Sequence, residues 1–194
     1  QVRSLLEKQP KLIHAADERG NQPIHWAVMT RQIDLIDALL ERGADIAAES
    51  KVIRPIRRNG LGFGRPGPDG KPNGDLMGGL TALMFAVREG RFDAVRALVA
   101  ADVSATKASV DGSSPLLVAV QNGHYEIGRF LLDHGADPNQ ANLKGWTPLY
   151  LAVANRNALT TAVPPPGKDG VLDFIELLLD RGAGPNSRIK AHTE

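Results

Sequence analysis

The sequence predicts an all-α protein, a solenoid of stacked helix–turn–helix units. Three observations carry that prediction. The segments "GNQPIHWAV" (20–28), "GLTALMFAV" (79–87), "GSSPLLVAV" (112–120) and "GWTPLYLAV" (145–153) align with one another. Within them Thr81, Ser114 and Thr147 recur every 33 residues. A second motif follows in three of the four: "LIDALLERGAD" (35–45), "IGRFLLDHGAD" (127–137) and "FIELLLDRGAG" (174–184). Self-similarity at such a period marks a repeat architecture, in which one unit cannot bury its own apolar face and stacking supplies the core.

Each element follows from local chemistry. Ser114 and Thr147 can cap a helix by accepting a backbone N–H bond, and Pro115 and Pro148 are tolerated at the first helical position. The Ala–Val pairs Ala27–Val28, Ala86–Val87, Ala119–Val120 and Ala152–Val153 are small, so neighbouring first helices can pack closely. Gly90 and Gly123 break the first helix and turn the chain. The second helix buries Leu39–Leu40, Leu98–Val99 or Leu131–Leu132. Gly43, Gly135 and Gly182 end it in the left-handed conformation that glycine adopts cheaply. Gly128, inside a second helix, is expected to cost about 1 kcal/mol against Ala.

The period, the T-P-L-H-like opening and the G-A-D ending resemble the ankyrin repeat; the resemblance recurs four times and covers most of the chain. It implies hairpin-like finger loops and one ankyrin-repeat domain over 1–194. The expected divisions are a half repeat at 1–16, repeat one at 17–49, an insertion at 50–75, repeat two at 76–108, repeat three at 109–141, and repeat four at 142–194 with an insertion at about 156–169. Val2–Lys8 reads as a second helix with no first helix before it. The fourth repeat ends in "GAGPNSRIKAHTE" without a polar cap, so a longer native chain or a covering partner surface is expected. Some positions depart from the family pattern. Arg31 replaces the turn Gly, Gln22 and Ile24 replace the usual Thr and Leu, and Asp102 stands where a terminating Gly belongs. Asp enters the left-handed region more readily than most residues.

Composition narrows the function classes. The chain has 194 residues, 42% apolar, 23% charged and 5% aromatic, with net charge +1. That suits a packed protein with a Leu, Ala, Val and Ile core. With no cysteine, disulfides, zinc–thiolate sites and thiol catalysis are excluded. No apolar run approaches the roughly 18 residues of a membrane span. The first residue is Gln1, so a fragment or a removed N-terminal segment is expected, a cleaved secretory signal being one form. A soluble protein in the cytoplasm or exported after cleavage fits equally.

The first insertion carries a local basic excess: Lys51, Arg54, Arg57, Arg58, Arg65 and Lys71 against Asp69 and Asp75. In "KVIRPIRRNGLGF" (51–63), Val52, Ile53, Ile56, Leu61 and Phe63 lie among the cations, and "GRPGPDGKPNG" (64–74) can form neither a helix nor a central strand. Two readings stay open: a tolerated solvated loop, or a binding arm toward an acidic partner. One aromatic in the loop and a mildly acidic body disfavour nucleic acid.

Catalytic patterns are scarce. "GFGRPG" (62–67) fits G-x-G-x-x-G, but the prolines and glycines after it prevent the helix that a dinucleotide site needs. The resemblance puts His25 in a backbone hydrogen bond between repeats and His124 on the surface at the start of a second helix. His134 suits the dipole of a helix C-terminus. Asp34, Asp37, Glu41, Glu126, Asp173, Glu176 and Asp180 read as a solvated outer face. No catalytic, cofactor or metal residues are expected.

Ankyrin proteins bind protein partners through the finger tips and the exposed side of the first helices, a concave surface. Carried over by position, that surface is Arg19, Asn21, Met29 and Thr30; Leu80, Arg88 and Glu89; Asp111, Ser113, Gln121 and Asn122; Lys144, Trp146, Ala154 and Asn155. Arg54, Arg57, Arg58 and Phe63 of the insertion join it. Trp146 is either a binding anchor or folded onto the neighbouring insertion. Trp26 shares its position with Phe85, Val118 and Leu151 and is expected to pack. The function expected is a non-catalytic interaction module or scaffold subunit, with no cofactor and one or more protein partners, possible members of a larger assembly. The alternatives are a non-catalytic targeting part of a larger enzyme or effector, and an accessory subunit of a membrane or periplasmic complex. Any membrane association would be through a partner.

Overall fold

The computed structural model describes residues 8–52, 78–101, 106–157 and 168–186. Residues 1–7, 53–77, 102–105, 158–167 and 187–194 lie outside them, and with them fall Asp102, Arg54, Arg57, Arg58 and Phe63. After a 3-10 turn at Pro10–His14 come four helix pairs: α1 (Pro23–Met29) with α2 (Ile33–Glu41), α3 (Ala82–Arg88) with α4 (Phe92–Ala100), α5 (Pro115–Gln121) with α6 (Tyr125–Asp133), and α7 (Pro148–Asn157) with α8 (Lys168–Asp180). The first helices α1, α3, α5 and α7 stack in one row, and each second helix packs on its own first helix. The fold is an all-α repeat solenoid.

Capping chemistry starts the first helices. The hydroxyls of Thr81, Ser114 and Thr147 accept the backbone N–H of Met84, Leu117 and Tyr150 at 3.2–3.3 Å. In α1 the Gln22 N–H instead donates to His25 Nδ1 at 3.1 Å, which leaves Nε2–H to donate to the Leu80 carbonyl at 3.3 Å. One fully buried imidazole thereby joins repeat one to the backbone of repeat two. Burial pushes its pKa down; the backbone groups of Leu80, Ala48 and Gln22 and the Asp17 charge pull the other way without overcoming it.

The core lies between the two rows. Ile24, Leu83, Leu116 and Ala152 from the first helices meet Ile36, Leu39, Val95, Leu98, Leu131, Phe174 and Leu178 from the second, all fully buried. Each large aliphatic side chain contributes about 1.5–3 kcal/mol. Gly128 is not the unfavourable helix residue that propensity alone suggests. A Cβ there would sit 2.7 and 2.9 Å from ring carbons of Phe174. Its counterparts in repeats one and two are Ile36 and Val95; repeat three omits the side chain and Phe174 of repeat four fills the space.

Four hairpins project from the stack. Asp17, Ser109 and Asn142 each receive a bond from the glycine three residues on and donate their own N–H to the carbonyl of Asn21, Ser113 and Trp146. Ser50 holds the equivalent place in the second hairpin. Its N–H donates to the Leu80 carbonyl, its carbonyl accepts from Gly79, and Glu49 bridges Thr81. The chain leaves this hairpin after Val52 and returns at Gly78, where a Cβ would overlap the Lys51 carbonyl oxygen. The two ends of the long connection therefore touch at the hairpin tip.

Candidate interaction face

The hairpins and the first helices set the side chains of one face. Asp17 organises its first part. Its Oδ1 accepts the Arg19 and Asn21 N–H groups at 2.8 Å, and its Oδ2 accepts Asn21 Nδ2 and the Trp26 indole N–H at 3.1 Å. Slight burial pushes this carboxyl up, but the bonds from Asn21, Arg19 and Trp26 outweigh it and hold its pKa below the ordinary value. Lys51 N–H donates to the Arg19 carbonyl at 2.7 Å, and Leu143 N–H to the Asp111 carbonyl at 2.9 Å, so adjacent fingertips are tied by backbone.

Trp26 departs from the expected packing role. It is 50% exposed, whereas Phe85, Val118 and Leu151 in the same position are 7–8% exposed. An indole is larger than the space those residues fill, and the bond to Asp17 holds its edge outward. Trp146 is half-buried and stacks on Tyr150 with ring centroids 6.4 Å apart, while the Lys144 ammonium lies 4.8 Å from its ring centre. In repeat two, Arg88 lies 4.8 Å from the Phe85 ring centre and pairs with Glu89 at 3.3 Å.

The other residues of the expected surface divide by exposure. Arg19, Thr30, Arg88, Glu89, Gln121 and Lys144 are exposed, and Met29, Leu80, Asp111, Asn122, Ala154 and Asn155 are half-buried. Asn21 and Ser113 are buried, at 6% and 3% exposure, and hold their hairpins through Asp17 and Asp111. Asn155 donates to the Val120 carbonyl at 2.7 Å, a bond between repeats. His124 is half-buried rather than a surface residue: its Nε2 bonds the Arg88 carbonyl at 3.2 Å. His134 Nδ1 donates to the Phe130 carbonyl at 2.8 Å at the end of α6. The seven carboxylates of the outer face are all exposed.

Sequence reasoning missed Trp26 and Tyr150. The apolar column of Trp26 hid it, though Asp17 nearby offered an acceptor for the indole. Tyr150 is 39% exposed where its counterpart Leu117 is fully buried, because Leu117 faces a following repeat. Val153, Leu172 and Leu179 share that end face and are 38–43% exposed, against 0–6% for Val120, Tyr125 and Leu132.

A cavity of about 400 Å³ opens where Gly90, Phe92, Gly123, His124, Tyr125 and Gly170 approach one another. Glu126, Ile127 and Arg129 complete its walls, and His124 there is bonded to the Arg88 backbone carbonyl. Among the described residues no group of three or more His, Asp or Glu side chains could hold a metal ion. Among them, too, no helix is long and apolar enough to cross a membrane.

This geometry defines a class: a helical repeat stack that presents a built side-chain face. Family models for ankyrin repeats match residues 19–48, 67–142 and 83–189, and the chain belongs to the ankyrin-repeat family. Ankyrin repeats are non-catalytic modules for protein–protein interaction. A stretch of 50 residues is 44% identical to serine/threonine-protein kinase VIK of Arabidopsis thaliana, covering 26% of this chain and 11% of that protein.

Proposed function

We propose that the chain is a non-catalytic scaffold that holds a protein partner on its finger and first-helix face. One contrast carries the reading. The outer helices expose carboxylates, whereas the finger and first-helix face exposes Trp26, Arg88, Gln121 and Lys144. A large aromatic held half out of the protein by a hydrogen bond is a natural anchor for a partner. The chain leaves the second hairpin at Lys51 and Val52, where the Lys51 N–H bonds the Arg19 carbonyl of the first fingertip.

A photo-crosslinking amino acid placed at Gln121 should give protein adducts in cells, and the same group at Asp37 on the outer face should not. Equal labelling from both positions would refute the assignment. Deleting 51–75 and substituting Trp146→Ala then separate the arm from the fourth finger.

The exposed end face of Tyr150, Val153, Leu172 and Leu179 favours a second reading, contact with a larger assembly through the end of the stack. Leu179→Glu should abolish such a complex and leave the Gln121 adducts intact. Adducts lost with both changes would refute two separate surfaces.

A further inference from the structure

Among the described residues repeat four is the last of the stack, and its outward face is built like an interior one. Tyr150 and Val153 of α7 and Leu172 and Leu179 of α8 are 38–43% exposed. Leu117, Val120, Tyr125 and Leu132, in the same places of repeat three, are 0–6% exposed because repeat four covers them. The four side chains form one apolar strip along a helical hairpin, so the start of α7 lies beside the end of α8.

Charge divides across that strip. Finger four and α7, residues 142–157, hold Lys144 and Arg156 and no carboxylate. Residues 158–167 hold no charged side chain. From 168 to 186, Asp169, Asp173, Glu176 and Asp180 stand against Lys168 and Arg181, and Arg181 is paired with Asp133 of repeat three. Residues 187–194, outside the described ones, add Arg188, Lys190 and Glu194. The α7 side of the strip is thus basic and the α8 side acidic, with Arg156, Asp173, Glu176 and Asp180 all exposed.

A face with a basic side, an apolar middle and an acidic side is complementary to itself. A two-fold axis lying in the face and parallel to the helices turns α7 of one copy onto α8 of the other, and α8 onto α7. The hairpin then sets the Tyr150 end of α7 against the Leu179 end of α8, and Arg156 toward the carboxylates of α8. A two-fold axis across the helices would set α7 on α7 and Arg156 toward its own copy, which like charge opposes. Four half-exposed apolar side chains on each copy make a small interface, so the association is weak.

We propose that a second copy of this chain covers the end face, in a two-fold dimer that packs α7 of each copy on α8 of the other. The proposal rests on the end-of-stack reading above and names the occupant.

Sedimentation equilibrium of the full chain from about 1 to 200 µM tests it. The mass should rise to that of two copies and stop there. Leu179→Glu should leave a monomer throughout. Arg156→Glu alone, and Asp173→Lys with Glu176→Lys, change only exposed groups; each should weaken self-association at least about tenfold by setting like charges together. An equimolar mixture of those two variants should restore the dimer, because every facing pair is then opposite in charge, and adding Leu179→Glu to either should abolish it. A monomer at every concentration, a mass that climbs past two copies, or a mixture that associates no better than its components would overturn the two-fold dimer. If the purified chain is monomeric and Leu179→Glu still removes a complex in cells, another protein occupies the face and the end-of-stack reading stands. If that complex is also unaffected, both fall.

Discussion

Gly128→Ala sets two physical effects against each other. In an exposed helix interior, Ala should stabilise by about 1 kcal/mol relative to Gly. Here the new methyl would lie 2.7 and 2.9 Å from Phe174 ring carbons, with Leu116 Cδ1 at 3.6 Å on another side. Carbon atoms normally rest about 3.5–4 Å apart, so the ring must move by most of an ångström. It has nowhere to go: Phe174 is fully buried, with its ring centroid 5.1 Å from that of Tyr125. Overpacking of this kind costs about 1–3 kcal/mol. The net change is a loss of about 1 kcal/mol, or a Tm lower by about 2–4 °C for a chain of this size. Urea unfolding followed by circular dichroism measures it. Phe174→Leu alone should also destabilise, by loss of buried ring area. The double variant should be more stable than the sum of the two by about 1 kcal/mol, because the methyl then occupies vacated space. A higher Tm for Gly128→Ala with additive double-variant energies would refute the reasoning and restore the propensity argument.

Arg31 sits at φ 60°, the left-handed region, where the other repeats have Gly90 and Gly123. Arg31→Gly should raise stability by about 0.5–1 kcal/mol, as relieved strain exceeds the extra chain entropy of Gly; an unchanged urea midpoint would count against strain there. His25 is held neutral by burial, so its folded pKa lies below the unfolded value of 6.5. Its stabilising contribution is complete above pH 6.5 and is lost as pH falls toward the folded pKa, because the unfolded chain takes up the proton first. The unfolding free energy should therefore fall on acidification below pH 6.5, and His25→Gln should show a shallower fall. Asn155→Ala removes the bond to the Val120 carbonyl and should cost about 1 kcal/mol, without weakening a partner held at Trp26. Ser114→Ala should cost about the same through the lost helix cap.

The sequence alone determined the repeat, its hydroxyl caps, the glycine turns and the acidic outer face. Each depends on contacts within a few residues or on a pattern that recurs every 33. It also marked His25 as a link between repeats, through the family pattern. Tertiary structure decided what lies between units. Whether Gly128 is a weakness or a seat depends on Phe174 in the next repeat, a contact that no local propensity encodes. Whether position 26 packs or projects depends on the space left by repeat two and on an acceptor in the preceding finger. Asn21 and Ser113 look like exposed fingertip residues in the chain, but hydrogen bonds to Asp17 and Asp111 turn them inward.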